Sequence, residues 1–587
     1  LRQIDRAADE RRRALDSEVV RTAIQPLIDE LLERHRASDD VVRFLQEVRD
    51  DLPARVIDAR NGNAQRVVVE NGDDDAENGD TTDDSQPTTF PPSPPGAPRF
   101  DRLARYRANP LVDHSDAPGA PVVFEPHPTP HNLAGRIEYR SIDGVLVTGV
   151  RQIKPGALHR ANGGFLILRA LDVLQTEASW AVLKRALMGR EIRVEPFGDP
   201  MLSIPTETLA PEPIPLDVKV VLIGTARTFQ LLYELEEDFQ SLFKVKVEFA
   251  PDMAWTVDNL GHYAAFIARV VRDRGLHHFE AGAVARVMEH GARLREHQER
   301  LSTRLLDVAD VVTEASFWSG RAGRTEVSAH DVNEAIGRRE QRSNLVEEEV
   351  RRWITEGALR IETDGLRVGT LNGLSVVDVG DHQFGRPVRV TAVASPGRGL
   401  VASIERESGL SGAVHDKGVL TITGLLASMF ARETPLSLMA TIAFEQNYDE
   451  IEGDSASVAE LVALVSAIAD VPVRQCIAVT GSIDQQGTVQ AVGGVNDKIE
   501  GFFALCAARG LTGEHGVVIP RTNARHLMLR DDVVDAVREG RFHVWAVDTI
   551  DDALELATGI DAASVRASAA KRLDGFAARV RWIAGGE

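Results

Sequence analysis

The chain has 587 residues, with 67 Lys and Arg against 89 Asp and Glu, a formal net charge of −22. Hydrophobic residues at 43% and charged residues at 27% are ordinary globular usage, which excludes a wholly disordered or fibrous chain. No apolar run approaches the 18 or so residues of a membrane span, the first residues lack a signal peptide's apolar core, and the acidity argues against a nonspecific nucleic-acid binder, so a cytoplasmic protein is expected.

The sequence opens on Leu1 inside a helical pattern already under way, and an upstream segment is expected. Val19, Val20, Ile24, Leu27, Ile28, Leu31 and Leu32 recur at helical spacing, which predicts a packed helical pair over 1–50 in an arm reaching residue 70. Between about 71 and 98 seven acids fall from Asp73 to Asp84, followed by Pro87, Pro91, Pro92, Pro94, Pro95 and Pro98. Such a stretch buries too little apolar surface to offset its ordering entropy and is expected to be a solvated linker, here taken as 71–100.

From 101 to 250 the short apolar runs Gly144–Thr148, Gly164–Leu168 and Val218–Ile223 predict buried parallel strands of an α/β unit. His127 and His131 are four apart, but Pro128 and Pro130 oppose a shared helix, so no metal site is expected there. Residues 251–350 read as a helical lid, carried by Leu260–Arg272, Ala281–Glu296 and Leu305–Trp318. After a helix ending near Arg352, strand-like stretches are expected over 358–448 and alternating helices and strands from 457 to about 558. A last unit at 351–560 and a helical tail at 561–587 complete the division. The two cysteines, Cys476 and Cys506, supply neither a disulfide framework nor a zinc site.

Chemistry concentrates in Glu452-Gly453-Asp454-Ser455-Ala456-Ser457. Ser457 with Glu460 three residues later is a capping box and predicts a helix start. Ser455 then lies just outside a helix N-terminus, where free N–H groups and the dipole would stabilise an oxyanion. Two readings are open at this point: Asp454, Ser455 and Ser457 as cap residues, or Ser455 as a nucleophile. No histidine lies between His415 and His515, so the base would have to be a desolvated lysine. Lys498 qualifies, flanked by apolar residues in Val492-Gly493-Gly494-Val495-Asn496-Asp497-Lys498-Ile499, with a surface charge as the plain alternative.

Gly453-Asp454-Ser455-Ala456-Ser457, Ala478-Val479-Thr480-Gly481-Ser482, Gly487-Thr488-Val489-Gln490-Ala491-Val492-Gly493-Gly494-Val495 and Lys498, 43 residues after Ser455, together resemble the proteolytic domain of Lon proteases. The Asp-Ser form is similar to the LonB and LonC branches. The resemblance implies a serine endopeptidase with Ser455 as nucleophile, Lys498 as general base and then acid, and Thr480 orienting the lysine. Asp454 is either a helix cap or a carboxylate that raises the lysine pKa and opposes its role. It further implies an AAA+-like α/β module with a helical lid and an α/β proteolytic domain, a six-membered ring, and unfolded polypeptides as substrates.

Lon enzymes couple proteolysis to ATP, yet no G-x-x-x-x-G-K-[ST] loop occurs here. Gly164-Phe165-Leu166-Ile167-Leu168-Arg169-Ala170 resembles a Walker B strand with Arg169 and Ala170 where a Mg²⁺-binding Asp and a catalytic Glu would stand. Arg304 is a candidate for the sensor-2 position or for a structural salt bridge. The expectation is an ATP-independent enzyme resembling the LonC type, needing no cofactor for peptide hydrolysis. The alternatives are an ATP-dependent relative whose P-loop lies upstream, and a non-proteolytic chaperone or scaffold.

Overall fold

In the computed structural model of the chain, residues 2–67, 106, 108–142, 145–194, 209–431 and 435–585 are described. The acidic, proline-rich 71–98 segment lies outside them. Two compact units divide the chain at Val247 and Glu248.

The first unit begins with two long helices, Arg2–Arg34 and Asp39–Val67, that pack on each other. Its α/β part centres on a parallel three-stranded sheet in the order Val122–Phe124, Phe165–Arg169, Lys219–Ile223. Leu158, Leu166, Leu168, Val173, Leu183 and Ile192 form its core. Two of the three predicted strands differ in kind. Val145–Val147 pairs antiparallel with Arg140–Ile142 rather than joining the parallel sheet. Lys219–Ile223 is parallel but not buried, since Val221 and Ile223 are 44% and 55% exposed on an edge strand.

In the second unit the helices Val257–Asp273, Ala281–Arg293, Leu305–Arg321 and Ala329–Ser343 close around Tyr263, Ile267, Val287, Val308 and Val312. The helix Leu345–Thr355 then leads into a seven-stranded sheet. Its order is Leu400–Ser403, Leu438–Glu445, Gln383–Pro396, Thr370–Asp378, Ile477–Val479, Gly516–Pro520, His543–Val547. The last four strands run parallel. Within the expected strand region, Ala413–Phe430 is a helix. Its Val419-Leu420-Thr421-Ile422-Thr423 run has strand composition, but the buried positions His415, Gly418, Val419, Ile422, Leu425 and Leu426 follow the helical period.

Two helices cover the sheet from opposite sides. Val479 and Val518 point to the face on which Ser457–Ala469 lies, whereas Ala478, Val517 and Ile519 point to the face on which Val495–Arg509 lies. The Val495–Arg509 helix sits close to the sheet because Gly501 and Gly385 face each other; a Cβ on Gly501 would lie 1.9 Å from Gly385 O. Gly501→Ala is therefore expected to cost about 2 kcal/mol or more, read as a lower urea midpoint, because backbone rather than a flexible side chain would have to move.

Candidate active site

The strand Leu438–Glu445 leads through a loop to the helix Ser457–Ala469, nearly every residue of which is buried. In that loop Gly453 takes φ +93, a conformation that favours glycine, and turns the chain so that Asp454 and Ser455 arrive at the helix start. The helix begins at 457, but the capping box is absent. Ser457 is already helical, and its Oγ donates to Asp454 O at 2.7 Å. Glu460, 1% exposed, is instead 3.2 Å from Nε2 of the equally buried His415. A buried carboxylate requires a partner, and the imidazole supplies a better one than a solvent-facing cap would.

Ser455 stands two residues before the helix. Its carbonyl accepts from Gly481 N–H at 2.8 Å and from Thr480 Oγ1 at 3.2 Å, which pins the loop to the end of the strand Ile477–Val479. Among the described residues neither the Ser455 nor the Ala456 N–H has an acceptor, so donors are available beside Ser455 Oγ. Asp454 turns its carboxylate to Ser482, whose Oγ donates at 2.7 Å.

Lys498 reaches this point from the opposite face. It lies in the first turns of Val495–Arg509, and Gly494 before it has φ +63 with Val376 Cγ2 2.7 Å from any added Cβ. The side chain is buried, 3% exposed, with Nζ 2.9 Å from Ser455 Oγ and 3.2 Å from Thr480 Oγ1. Burial pushes the ammonium down to about 8, against smaller opposing pulls from Glu296 and Asp454. The positive end of its own helix works in the same direction as burial. Asp454 thus opposes deprotonation, as its carboxylate chemistry suggests, but desolvation is the larger effect.

Thr480 Oγ1 donates to Ser455 O, which leaves its lone pairs for Lys498 Nζ. One hydroxyl therefore fixes the loop and the lysine together. Thr480→Val is expected to lower turnover about tenfold, read as kcat on a short peptide, because the lysine loses one of its two polar contacts. The sequence did not single out Ser482, His415 or Glu460 for these contacts; Ser482 stood in a quoted motif without a role, and the histidine lies 45 residues from its glutamate.

The other candidate residues lie elsewhere. Arg169 ends the central strand Phe165–Arg169 of the first unit, its guanidinium 5.9 Å from the Phe124 ring centre. Ala170 is buried at the start of the helix Ala170–Leu174, and a Cβ on Gly224 would already be 3.3 Å from its methyl. Neither side chain can ligate Mg²⁺. Arg304 stands just before the helix Leu305–Arg321 and pairs with Asp307 at 2.8 Å. Pro130 opens a short helix that contains His131 but not His127.

Three family models match the chain: a LonB-like AAA domain over 118–250, the lid domain of the archaeal LonB AAA+ ATPase over 278–342, and the C-terminal proteolytic domain of Lon protease over 450–559. A protein described as a Lon protease homolog from Escherichia coli (strain K12) is 36% identical over 410 residues, covering 69% of this chain and 68% of its own. A Haemophilus influenzae protein of the same description is 34% identical, covering 70% and 67%. The archaeal Lon protease of Pyrococcus abyssi is 26% identical over 72% of this chain and 41% of its own.

Proposed function

Because the chain belongs to the Lon protease family, and is thereby a serine peptidase of the Lon type, we propose that Ser455, Lys498 and Thr480 carry its chemistry and that it cuts unfolded polypeptides without hydrolysing ATP. The observation that carries this reading is the 2.9 Å approach of a buried lysine amine to the Ser455 hydroxyl.

In the unprotonated form Lys498 takes the Ser455 proton as Oγ attacks the scissile carbonyl carbon. The carbonyl electrons move to oxygen, where the Ser455 and Ala456 N–H groups are the nearest free backbone donors in sequence. The Lys498 ammonium then protonates the departing amine, leaving an acyl group on Ser455. Water, deprotonated by the same lysine, releases it. Because only the free amine can start the cycle, peptide hydrolysis is expected to fall as pH drops below about 8, and the pH dependence of kcat/KM on a fluorogenic peptide, which reports the substrate-free enzyme, checks this.

Arg169 and Ala170 support independence from ATP, since a cation and a methyl cannot hold Mg²⁺ or orient water. Casein degradation is expected to be equal with and without Mg-ATP and to stop with a peptide boronate, which mimics the tetrahedral intermediate. Clear stimulation by Mg-ATP would overturn the ATP-independent reading and favour a motor completed upstream. The reading extends to a cytoplasmic six-subunit ring, on the family resemblance; its mass by light scattering is the check. Among the described residues no helix is long and apolar enough to cross a membrane.

A further inference from the structure

The helix carrying Lys498 is held from outside the proteolytic fold. Arg293 ends the helix Ala281–Arg293 of the helical domain and forms a fork on Glu500, two residues beyond Lys498. Its two terminal nitrogens lie 2.7 and 2.8 Å from the two Glu500 carboxylate oxygens. The Glu500 side chain is 8% exposed, and this bidentate geometry is the strong form of the interaction. Glu500 also accepts the Arg530 N–H at 2.8 Å.

Between the two domains runs the segment Arg521–Arg530, and it is tied to both. On one side Asn496 accepts from Met528 N–H at 2.7 Å and donates to His526 O at 2.9 Å, while Asn523 makes a paired contact with the Val492 backbone at 2.8 and 2.9 Å. On the other side Arg293 donates to Met528 O at 2.6 Å, and Gln298 reaches Ala524 O and Leu527 O. The Met528 side chain packs against the core of the helical domain. One residue thus bonds the lysine helix through its N–H and the helical domain through its carbonyl, and packs its side chain on that domain's core.

We propose that Arg293 is a positioning residue for Lys498: through Glu500 and Met528 the helical domain sets where the base stands relative to Ser455. This rests on the reading of Lys498 as the base. A shift of the helical domain would move the first turns of Val495–Arg509, and misplacing a base by about 1 Å costs on the order of a hundredfold in rate. The same domain reaches the lysine a second way. Glu296, just beyond Arg293 and held at φ +48, is the largest charge opposing Lys498 deprotonation, ahead of Asp454 from the nucleophile loop. The other charged groups around this turn are Asp497 and Glu500 on the lysine's own helix, with Arg293, Glu340, His382 and Arg530 facing them.

The test uses the full chain, a short fluorogenic peptide and kcat and KM across pH, with active sites counted by a peptide boronate. Arg293→Met is expected to lower kcat per active site about tenfold or more with little change in KM, and to move the acid limb to higher pH as the loosened helix lets water reach Lys498. Arg293→Lys should recover part of the loss, because it keeps the charge without the fork. Glu296→Gln should move the limb the other way, to lower pH, by removing the opposing charge. A merely structural interface would lower the number of titratable sites and the melting temperature while leaving kcat per site and the acid limb in place, and that result would overturn the proposal. Should Arg293→Met fail to fold, Arg293→Lys decides it: kcat per active site and an acid limb equal to those of the unaltered chain, once the fork is gone, count against the coupling. If the unaltered chain binds no boronate, or Ser455→Ala retains activity, the reading of the dyad fails instead.

Discussion

Ser455→Ala is expected to abolish peptide hydrolysis, by about five orders of magnitude or more, with the fold intact. Serine hydrolases lose turnover on that scale when the nucleophile goes, because the oxyanion donors and substrate binding that remain supply only a small part of the acceleration. The fold should survive because Ser455 Oγ contacts Lys498, whereas it is the Ser455 carbonyl, untouched by the substitution, that holds the loop to Thr480 and Gly481. The measurement is kcat on a fluorogenic peptide beside a thermal melt. A residual rate within tenfold of the unaltered chain would move the nucleophile elsewhere.

Lys498→Arg and Lys498→Met should each lower kcat by about a thousandfold, for different reasons. Arginine keeps a positive charge near Ser455 but never loses its proton at working pH, so it cannot act as base. Methionine removes the nitrogen while nearly filling its volume in a site that is 97% covered by the surrounding chain. If the charge alone mattered, arginine would be active and methionine dead; equal loss in both assigns the role to the free amine. Loss of the rise through pH about 8 in both variants would tie that limb to this residue.

Much of this site was legible because its pieces are local. The Gly453–Ser457 loop, the Thr480–Ser482 turn and the Gly493–Lys498 helix start each carry turn glycines and polar residues at fixed offsets; singly each also reads as a cap or a surface charge, and only together do they resemble the Lon proteolytic domain. What was not legible depends on distant partners. Glu460 looked like a capping-box acid because the sequence shows only Ser457 three residues before it, not His415 across the fold. Ala413–Phe430 looked like strand because β-branched residues fit either state, and only packing reveals the helical stripe. The Arg293–Glu500 pair spans 207 residues, and nothing around either residue announces the other.

The arrival of nucleophile and base from opposite faces of one sheet has a consequence for the life of the molecule before it is folded. Ser455 is fastened to the turn after Ile477–Val479, and Thr480 N–H is fastened in turn to Val518 O on the neighbouring parallel strand. Lys498 lies between those strands in sequence but crosses to the other side in space. No short piece of chain therefore contains a working pair, and parallel strands joined over such intervals are slow to assemble. On the reading of Ser455 and Lys498 as the reactive pair, a nascent or partly unfolded copy carries both residues without the contact between them, and is expected to cut nothing until the sheet whose two faces deliver them is complete.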